Sequence, residues 1–174
     1  MIFRKATQED LPVMMEIVRQ AQAFMKSQNV DQWQAGYPTR EDLEGDIRQG
    51  NSYVLEEDGV LLGLEAVVFA PEESYEKMTK GKWLTQGAPY GVIHRGAVLG
   101  ERRGQGLFGE LIKGAESLCR DRGIGSIRVD THPDNKAMGR SLVKNGFVLC
   151  GEILLTEGPE AGTPRITLEK ILSE

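Results

Sequence analysis

The segment from Glu101 to Gly109 combines residue types that bind anions. Two arginines lead into it, and Gly104 and Gly106 stand at alternate positions, where the lack of Cβ atoms lets the main chain approach a ligand closely. An amphipathic stretch follows. The N–H groups in the first turn of such a helix lack partners within the helix and attract negative charge. The segment therefore predicts an anion site that suits a diphosphate.

Two other interpretations fit the same glycines. Gly104, Gly106 and Gly109 match the spacing of a dinucleotide-binding fingerprint, and Asp130 stands where that fold has an acid that binds ribose. Against this, charged residues separate the glycines from the preceding strand, and the chain after Asp130 is too short to complete a doubly wound sheet. The other interpretation is an ordinary glycine-rich turn between a strand and a helix. A P-loop is excluded, because no Lys-Ser or Lys-Thr pair follows the glycines.

The elements that position this segment can be predicted from hydrophobic periodicity and turn residues. Asp58-Gly59 predicts a tight β-hairpin, and Thr39 with Asp42 resembles a capping box at a helix N-terminus. Residues 71–91 lack a sustained period and predict a long connection. The predicted order is a strand at 2–5, helices at 7–25 and 39–50, strands at 53–57, 60–69 and 92–99, a helix at 106–122, a strand at 127–131, a helix at 135–145, and strands at 147–155 and 165–171.

The composition limits the class of protein. A chain of 174 residues with 40% hydrophobic and 27% charged residues predicts one domain over residues 1–174. Its formal charge of -5 disfavours non-specific binding to nucleic acid. No apolar run reaches the roughly 20 residues of a membrane span, and the N-terminus lacks the apolar core of a signal peptide, so we expect a cytoplasmic protein that contacts no membrane. Cys119 and Cys150 are expected to be free thiols, and no metal site is expected.

The glycine segment resembles motif A of the GNAT superfamily of N-acetyltransferases. In that motif Gln or Arg, two residues, Gly, any residue, and Gly or Ala cradle the pyrophosphate of acetyl-CoA. Glu101 occupies the Gln or Arg position here, and Phe108 replaces a small residue. Asn135, followed by Lys-Asn-Gly-Phe at 144–147, is similar to motif B of the same family. The predicted order of elements also resembles this family over nearly the whole chain.

This resemblance implies a fold, a reaction and a cofactor. The fold is α/β (an α+β mixed sheet), mostly antiparallel and twisted, with about seven strands and about four helices, and it splays between the fourth and fifth strands beyond Val98. The reaction transfers the acetyl group from acetyl-CoA to a primary amine of a small molecule or amino acid by direct attack. A main-chain N–H of Val98 or Leu99 is implied to bind the thioester carbonyl. The residues implied in binding coenzyme A are Ala97, Val98, Leu99, Arg103, Gly104, Gln105, Gly106, Leu107, Phe108, Gly109 and Asn135.

Transfer to an amine is helped by a proton acceptor, because an alkylamine with a pKa of about 10.4 is almost wholly protonated at neutral pH. Glu65 interrupts the apolar run at 60–69, either as a base in the acceptor cleft or at the outward edge of the strand. His94 lies in the fourth predicted strand, as a catalytic group or as a hydrogen-bonded core imidazole. His132 follows the fifth strand, as a catalytic or substrate-contacting group or as a helix cap. The sequence leaves these catalytic candidates open, with a slight preference for His132.

One position departs from the resemblance. The family often has a tyrosine four residues before the Gly-Phe pair, where it protonates the departing thiolate, and this chain has Leu142 there. The proton then comes from water or from a loop tyrosine (Tyr37, Tyr75 or Tyr90), or the thiolate leaves without one, its pKa being about 8.5. The same departure favours the alternative of a non-catalytic protein that binds or senses acyl-CoA.

Aromatic residues on loops and two arginines are the candidates for binding the acceptor. Trp33 and Tyr37, with Trp83, are interpreted either as walls of a cleft or as covers over the end of the core. Arg95 and Arg165 are candidates to bind an acceptor carboxylate, or each pairs with an acidic residue of the chain. A closed cleft suits a small amine better than a peptide, so transfer to a protein N-terminus or a lysine is the weaker alternative. A homodimer is left open.

Overall fold

The computed structural model describes residues 1–173, along which strands and helices alternate. Short 3-10 turns at Gln8–Asp10 and Gly100–Arg102 come before the first and fourth helices. The elements are β1 (Ile2–Lys5), α1 (Leu11–Ser27), α2 (Arg40–Arg48), β2 (Ser52–Glu57), β3 (Val60–Val68), α3 (Glu73–Glu76), β4 (Lys80–Gly81), β5 (Gly91–Val98), α4 (Leu107–Asp121), β6 (Ser126–Thr131), α5 (Lys136–Lys144), β7 (Val148–Leu154) and β8 (Pro164–Ile171).

The strands form one eight-stranded sheet in the order β1-β2-β3-β5-β6-β8-β7-β4. Within residues 1–173, β5 and β6 are the only parallel neighbours, and all other adjacent strands are antiparallel. This confirms the mixed, mostly antiparallel sheet. The sheet has eight strands with five helices, against the expected seven and four, because the segment at 71–91 contributes α3 and β4.

The sheet opens between β5 and β6. These strands pair at Gly91 with Ile127 and at Val92 with Arg128, and the ladder ends there. The predicted splay between these neighbours is confirmed, but it begins at Ile93 rather than beyond Val98. A longer stretch of the β5 edge therefore lies open, and main-chain groups on such an edge need another partner.

The segment at 71–91 is packed rather than loose. Tyr75, Trp83 and Tyr90 are buried together against Val92 and Ile153. The Trp83 indole N–H donates to the Tyr75 carbonyl at 2.7 Å. These aromatic contacts hold α3 beside the sheet, and they explain why a stretch without periodicity still has a fixed conformation.

Local sequence signals fix the ends of several elements. Thr39 and Asp42 form the predicted capping box, with Thr39 N–H donating to the Asp42 carboxylate at 2.7 Å. Asn135 caps α5 by accepting from Met138 N–H at 3.2 Å. At the predicted hairpin, Asp58 has a φ of 53° and Gly59 a φ of 80°, as a tight turn between β2 and β3 requires.

Helices cover both faces of the sheet. On one face α1 packs Met14 and Ile17 against Leu64 of β3, and on the other α4 packs Ile112 and Ala115 against Val67 of the same strand. Both cysteines are free thiols, as predicted. Within residues 1–173 no helix combines the length and apolar character needed to cross a membrane.

Candidate active site

A cleft of about 980 Å³ lies where the sheet opens, between the turn before α4 and the loops over β5 and β6. Gly104 and Gly106 line it with φ values of 83° and 78°, a conformation that glycine adopts without strain. Within residues 1–173 no side chain caps the N-terminus of α4, so the N–H groups of its first turn remain available to an anion. The predicted anion site is therefore open to the cleft.

Charged and aromatic side chains flank this turn. Arg102 and Arg103 line the cleft, and the Arg103 guanidinium lies 4.1 Å from the centre of the Phe24 ring. Arg102 Nε also donates to the Gln105 side chain at 2.6 Å. Among the residues predicted here, Gln105 is not in the cleft wall. Arg103, Gly104, Gly106, Leu107, Phe108 and Gly109 are in the wall.

The exposed edge of β5 offers one of the two predicted amides. Leu99 N–H already donates to the Leu62 carbonyl at 2.8 Å, on the β3 side. Successive amides along a strand point to opposite edges, so Val98 N–H faces the opening. The Ala97 N–H points to the same edge of β5 as the Leu99 N–H, towards β3, so Ala97 is part of the cleft wall without offering its N–H to the cleft. Val98 is therefore the amide available to a ligand carbonyl.

A bulge in β5 brings consecutive side chains into the cleft. His94 and Arg95 both line it, because Arg95 and Gly96 together lie opposite Glu65 of β3. Arg95 has a φ of 51°, in the left-handed region. A Cβ at Gly96 would come within 2.8 Å of the Phe108 ring, so this position accepts only glycine without movement of the ring.

His94 is held by a carboxylate at the cleft. Its Nε2 lies 2.6 Å from Glu72 Oε1, and because a carboxylate only accepts, Nε2 carries the proton of this bond. Nδ1 has no hydrogen-bond partner among the described residues and is left as the basic nitrogen of the neutral ring. Burial raises the pKa of Glu72, but the hydrogen bond and charge of His94, with Arg95, outweigh burial and lower it.

Asp130 lies across the opening from His94. Both residues come two positions after the last β5–β6 pair, so they share a face of the sheet. Asp130 lines the cleft, lies beside the Tyr75 hydroxyl and forms no ion pair within residues 1–173. Burial raises its pKa and the Glu72 carboxylate adds to this, while the charges of His94 and Arg165 and a hydrogen bond from Tyr75 act in the opposite direction.

Tyr75 lies beside Asp130 and belongs to the same cluster of polar side chains. Its hydroxyl is buried, faces the Asp130 carboxylate and meets no other polar partner among the described residues. Burial and the nearby Asp130 carboxylate raise its pKa well above the usual range. The ring itself packs against Trp83 and Tyr90.

Two of the three predicted bases lie elsewhere. Glu65 is 1% exposed, shares its face of β3 with Gly63 and so lies beneath α4, and does not line the cleft. Both predicted placements of Glu65 were wrong, because the covering helix encloses that face. His132 is also outside the cleft wall, and its Nδ1 accepts from Asp134 N–H at 3.0 Å, which fits the alternative of a capping role. His94 is the predicted base that reaches the cleft.

Trp33 and Tyr37 line the cleft on its other side. Trp33 has a φ of 63°, and its main-chain N–H donates to the Glu160 carboxylate at 2.6 Å. Such strain in a bulky residue persists only where surrounding contacts hold it. Trp83 is absent from this wall, because it belongs to the aromatic cluster below β5.

Both arginines predicted to bind an acceptor carboxylate are already paired. Arg95 donates from Nε and Nη2 to Asp46 at 2.6 and 2.7 Å, and from Nη1 to the Tyr37 hydroxyl at 2.9 Å. Arg165 is 2% exposed and forms an ion pair with Glu160. Pairing with acids of the chain was one of the two predicted outcomes for these arginines.

The remaining predicted residues have mixed placements. Leu142 is buried and lines the cleft where the related tyrosine was expected. Asn135 lines the cleft, but its amide oxygen caps α5 and its Nδ2 donates to Gln32 at 3.0 Å. Tyr90 has its hydroxyl between Glu72 N–H and the Glu76 carboxylate, so Tyr37 is the candidate tyrosine that lines the cleft.

Sequence reasoning missed Glu72 and Glu160, and it considered Asp130 only as a ribose-binding acid. Glu72 and Glu160 lie in loops and reach the cleft through contacts with residues distant in sequence. The one local signal was the pair His94 and Arg95 within an otherwise apolar strand, since buried polar groups require partners.

Known proteins match this chain over most of its length. The model of the acetyltransferase (GNAT) family matches residues 17–147. The crystal structure of a GNAT-family acetyltransferase from Streptococcus agalactiae is 32% identical with a TM-score of 0.88, and the match covers 99% of this chain and 96% of that one. A comparison with curated proteins gave no match.

More distant crystal structures share the fold. The ribosomal-protein-alanine N-acetyltransferase from Brucella melitensis is 22% identical with a TM-score of 0.67, covering 99% of this chain and 100% of that one. The N-acetylglutamate synthase from Neisseria gonorrhoeae, complexed with coenzyme A and N-acetyl-glutamate, is 20% identical with a TM-score of 0.66, covering 99% of this chain and 35% of that one. At these identities the likeness shows the fold alone.

The fold and the family-model match together define an acyltransferase. The chain belongs to the GNAT family of acetyltransferases, which uses acetyl-CoA. The cleft fits this donor: the free amides at the start of α4, the positive-φ glycines and the arginines suit a diphosphate, and the open β5 edge suits the amide-bearing pantetheine arm.

Proposed function

We propose that this protein transfers the acetyl group of acetyl-CoA to a primary amine of a small molecule by direct attack, with His94 as the base. The observation that carries the proposal is the pairing of His94 with Glu72 in the cleft, at the point where β5 and β6 separate. Nucleophile activation by a histidine that a carboxylate orients is a general solution in acyl transfer.

The chain would hold the donor mainly with main-chain groups. The first-turn amides of α4, with Arg102 and Arg103, would bind the diphosphate, and the β5 edge would pair with the pantetheine arm. When bound, acetyl-CoA supplies an activated acetyl group as a thioester. Val98 N–H would stabilise the charge that develops on the carbonyl oxygen, a contribution worth about 3 to 4 kcal/mol for one such donor in other enzymes.

His94 would take the proton of the acceptor amine at Nδ1. An alkylamine has a pKa of about 10.4 and is nearly all ammonium at neutral pH, so attack requires this proton to be removed. Glu72 fixes the tautomer through Nε2 and stabilises the imidazolium that forms. Amide formation releases a second proton from the nitrogen after attack, and the departing thiolate, with a pKa of about 8.5, can take it to leave as the thiol. No tyrosine is then required, which agrees with Leu142 in the wall.

A small acceptor suits the closed geometry at this end of the cleft. Trp33 and Glu160 come from loops distant in sequence, and the hydrogen bond between them joins these loops over the cleft. A peptide acceptor needs an open groove, whereas this wall is closed by side-chain contacts. This argument favours a free amine over a protein N-terminus or a lysine side chain.

The test is the pH dependence of thiol release from acetyl-CoA in variants in which His94, its partner Glu72 or His132 is replaced. Replacement of His94 by Ala is expected to lower kcat by about 10²-fold or more and to flatten the rise of kcat/KM with pH. Glu72→Gln keeps a hydrogen bond but loses the charge, so we expect a loss of about tenfold or more with an altered pH profile. Affinity for coenzyme A, measured by calorimetry, should change little in His94→Ala and in Glu72→Gln.

His132→Ala is the matched control, because it removes the other histidine of the chain from a position outside the cleft wall. It should keep the pH profile of the parent protein. A flat profile in His132→Ala together with a normal one in His94→Ala would reject the assignment.

A further inference from the structure

The acceptor end of the cleft has an unequal balance of paired charges. We call this end the acceptor chamber and define it by Trp33, His94, Arg95, Asp130, Glu157 and Arg165, all of which line the cleft. Its cations form ion pairs with carboxylates of the chain, whereas the enclosed carboxylate of Asp130 forms no ion pair within residues 1–173. This asymmetry bears on the chemistry of the acceptor.

The arginines cannot serve an acceptor carboxylate without losing an internal partner. Arg95 already binds Asp46 through two nitrogens. Arg165 pairs with Glu160 and donates further to the Pro164 carbonyl at 2.8 Å. Removing one partner of a buried ion pair leaves an uncompensated charge, which is strongly unfavourable. An acceptor with a carboxylate would therefore bind here poorly.

The Asp130 carboxylate differs from these arginines, because it has no ion-pair partner in the described chain. Its polar partner is the uncharged Tyr75 hydroxyl, and it is enclosed enough for burial to raise its pKa. Glu157, on the loop before β8, also lines the cleft, but it is exposed, so water already solvates its charge. A carboxylate that is removed from water and has no cationic partner is stabilised when a cation binds to it.

We infer that the acceptor is an aliphatic amine with a second positive charge and no carboxylate, and that Asp130 binds this second charge. The inference rests on the proposed function, because it assigns the acceptor of the same site. The reacting amine lies at His94 and the distal ammonium across the strand opening at Asp130. Trp33 and Tyr37 would cover the aliphatic chain between them.

The test compares three primary amines with four carbon atoms each that differ at the far end: 1,4-diaminobutane, butylamine and 4-aminobutyrate. Two quantities are measured for each, kcat/KM for thiol release and the dissociation constant from the protein saturated with coenzyme A. We expect 1,4-diaminobutane to exceed butylamine by at least about tenfold in both, as one charged hydrogen bond allows, and 4-aminobutyrate to rank last.

The variant Asp130→Asn should reduce the ratio between 1,4-diaminobutane and butylamine to nearly one. Asp134→Asn is its matched control, because Asp134 lies just beyond the end of β6, is exposed and does not line the cleft. This control should keep the ratio of the parent protein. A ratio that survives in Asp130→Asn, or 4-aminobutyrate that equals 1,4-diaminobutane, would overturn the inference.

The two proposals fail differently. Thiol release with the opposite ranking of amines leaves acetyl transfer intact and rejects the dicationic acceptor. The expected ranking of dissociation constants without thiol release supports the acceptor and rejects transfer by this site. Absence of coenzyme A binding together with equal affinity for all three amines rejects both.

Discussion

Among the described residues, Glu65 is the carboxyl group with the least favourable environment. It lies beneath α4, and neither carboxylate oxygen has a partner within residues 1–173. Burial therefore raises its pKa well above the usual value of 4.5, and the group is held as a neutral acid over a range where the unfolded chain would ionise it. Such a group lowers stability as the pH rises.

Replacement of Glu65 by Gln is predicted to stabilise the protein at alkaline pH. Because the folded pKa lies above the unfolded one, the contribution of Glu65 is fully present below about pH 4.5 and is lost as the pH rises through the folded pKa, by up to about 1.4 kcal/mol per pH unit. Urea unfolding at several pH values should show this fall in the parent protein and a smaller one in Glu65→Gln. Glu9→Gln, at an exposed carboxylate, is the control and should keep the parent slope; the same slope in Glu65→Gln would show that Glu65 ionises freely.

The residue scale also shows where the sequence was insufficient. Glu65 and His94 both interrupt apolar strands, and nothing local distinguishes the one under a helix from the one in the cleft. His132 was favoured because it follows a strand, yet its ring is used by the adjacent backbone. The pairing of His94 with Glu72 depends on the fold of the segment at 71–91, for which the sequence shows no period.

At the scale of elements, α4 is the part whose role was clearest from the sequence. Glycines at both of its ends adopt positive φ, 83° at Gly104 before it and 66° at Gly123 after it. A Cβ at either position meets nothing within 4 Å. The two glycines are therefore equivalent in strain and space and differ in which end of the helix they flank.

We predict that Gly104→Glu abolishes most of the affinity for acetyl-CoA, at least about tenfold, while the protein stays folded. The new side chain adds backbone strain of about 1 to 2 kcal/mol and a negative charge beside the amides meant for a diphosphate. Gly123→Glu carries the same strain at the far end and should bind acetyl-CoA normally. Calorimetry gives the affinities and thermal unfolding the stabilities; equal losses of affinity in both variants would show that the site lies elsewhere.

Elements with local signals were predicted well, and those without were not. The capping box at Thr39 and the Asp58-Gly59 turn depend on neighbouring residues, so the sequence contains what determines them. The bulge at Arg95 depends on pairing with β3, and β4 pairs with β7 far along the chain. Register between distant strands is set by the packed sheet, and one sequence read without a fold does not contain it.

At the scale of the molecule, the sheet consists of two halves. One half contains β1, β2, β3 and β5, the other contains β6, β8, β7 and β4, and within residues 1–173 two residue pairs join them. The cleft wall takes residues from both, with Val98 and Gly104 on one side and Asp130 and Ser141 on the other. A donor bound in the cleft would therefore bridge the halves where their own hydrogen bonds end.

Acetyl-CoA is accordingly predicted to stabilise both halves together. At a free concentration of about one hundred times its dissociation constant, a ligand that binds only the folded state adds about 2.7 kcal/mol to the free energy of unfolding. For a protein of this size that corresponds to a rise in Tm of roughly 5 to 10 °C. Hydrogen exchange should slow at the Val98 amide on the open edge of β5 and also in α5, while the Leu99 amide, already bonded to Leu62, should change less. Gly104→Glu at the same ligand concentration is the control and should show a smaller rise in Tm. Protection confined to one half would mean that the donor does not span the opening, because a bridging ligand must slow exchange on both sides of it.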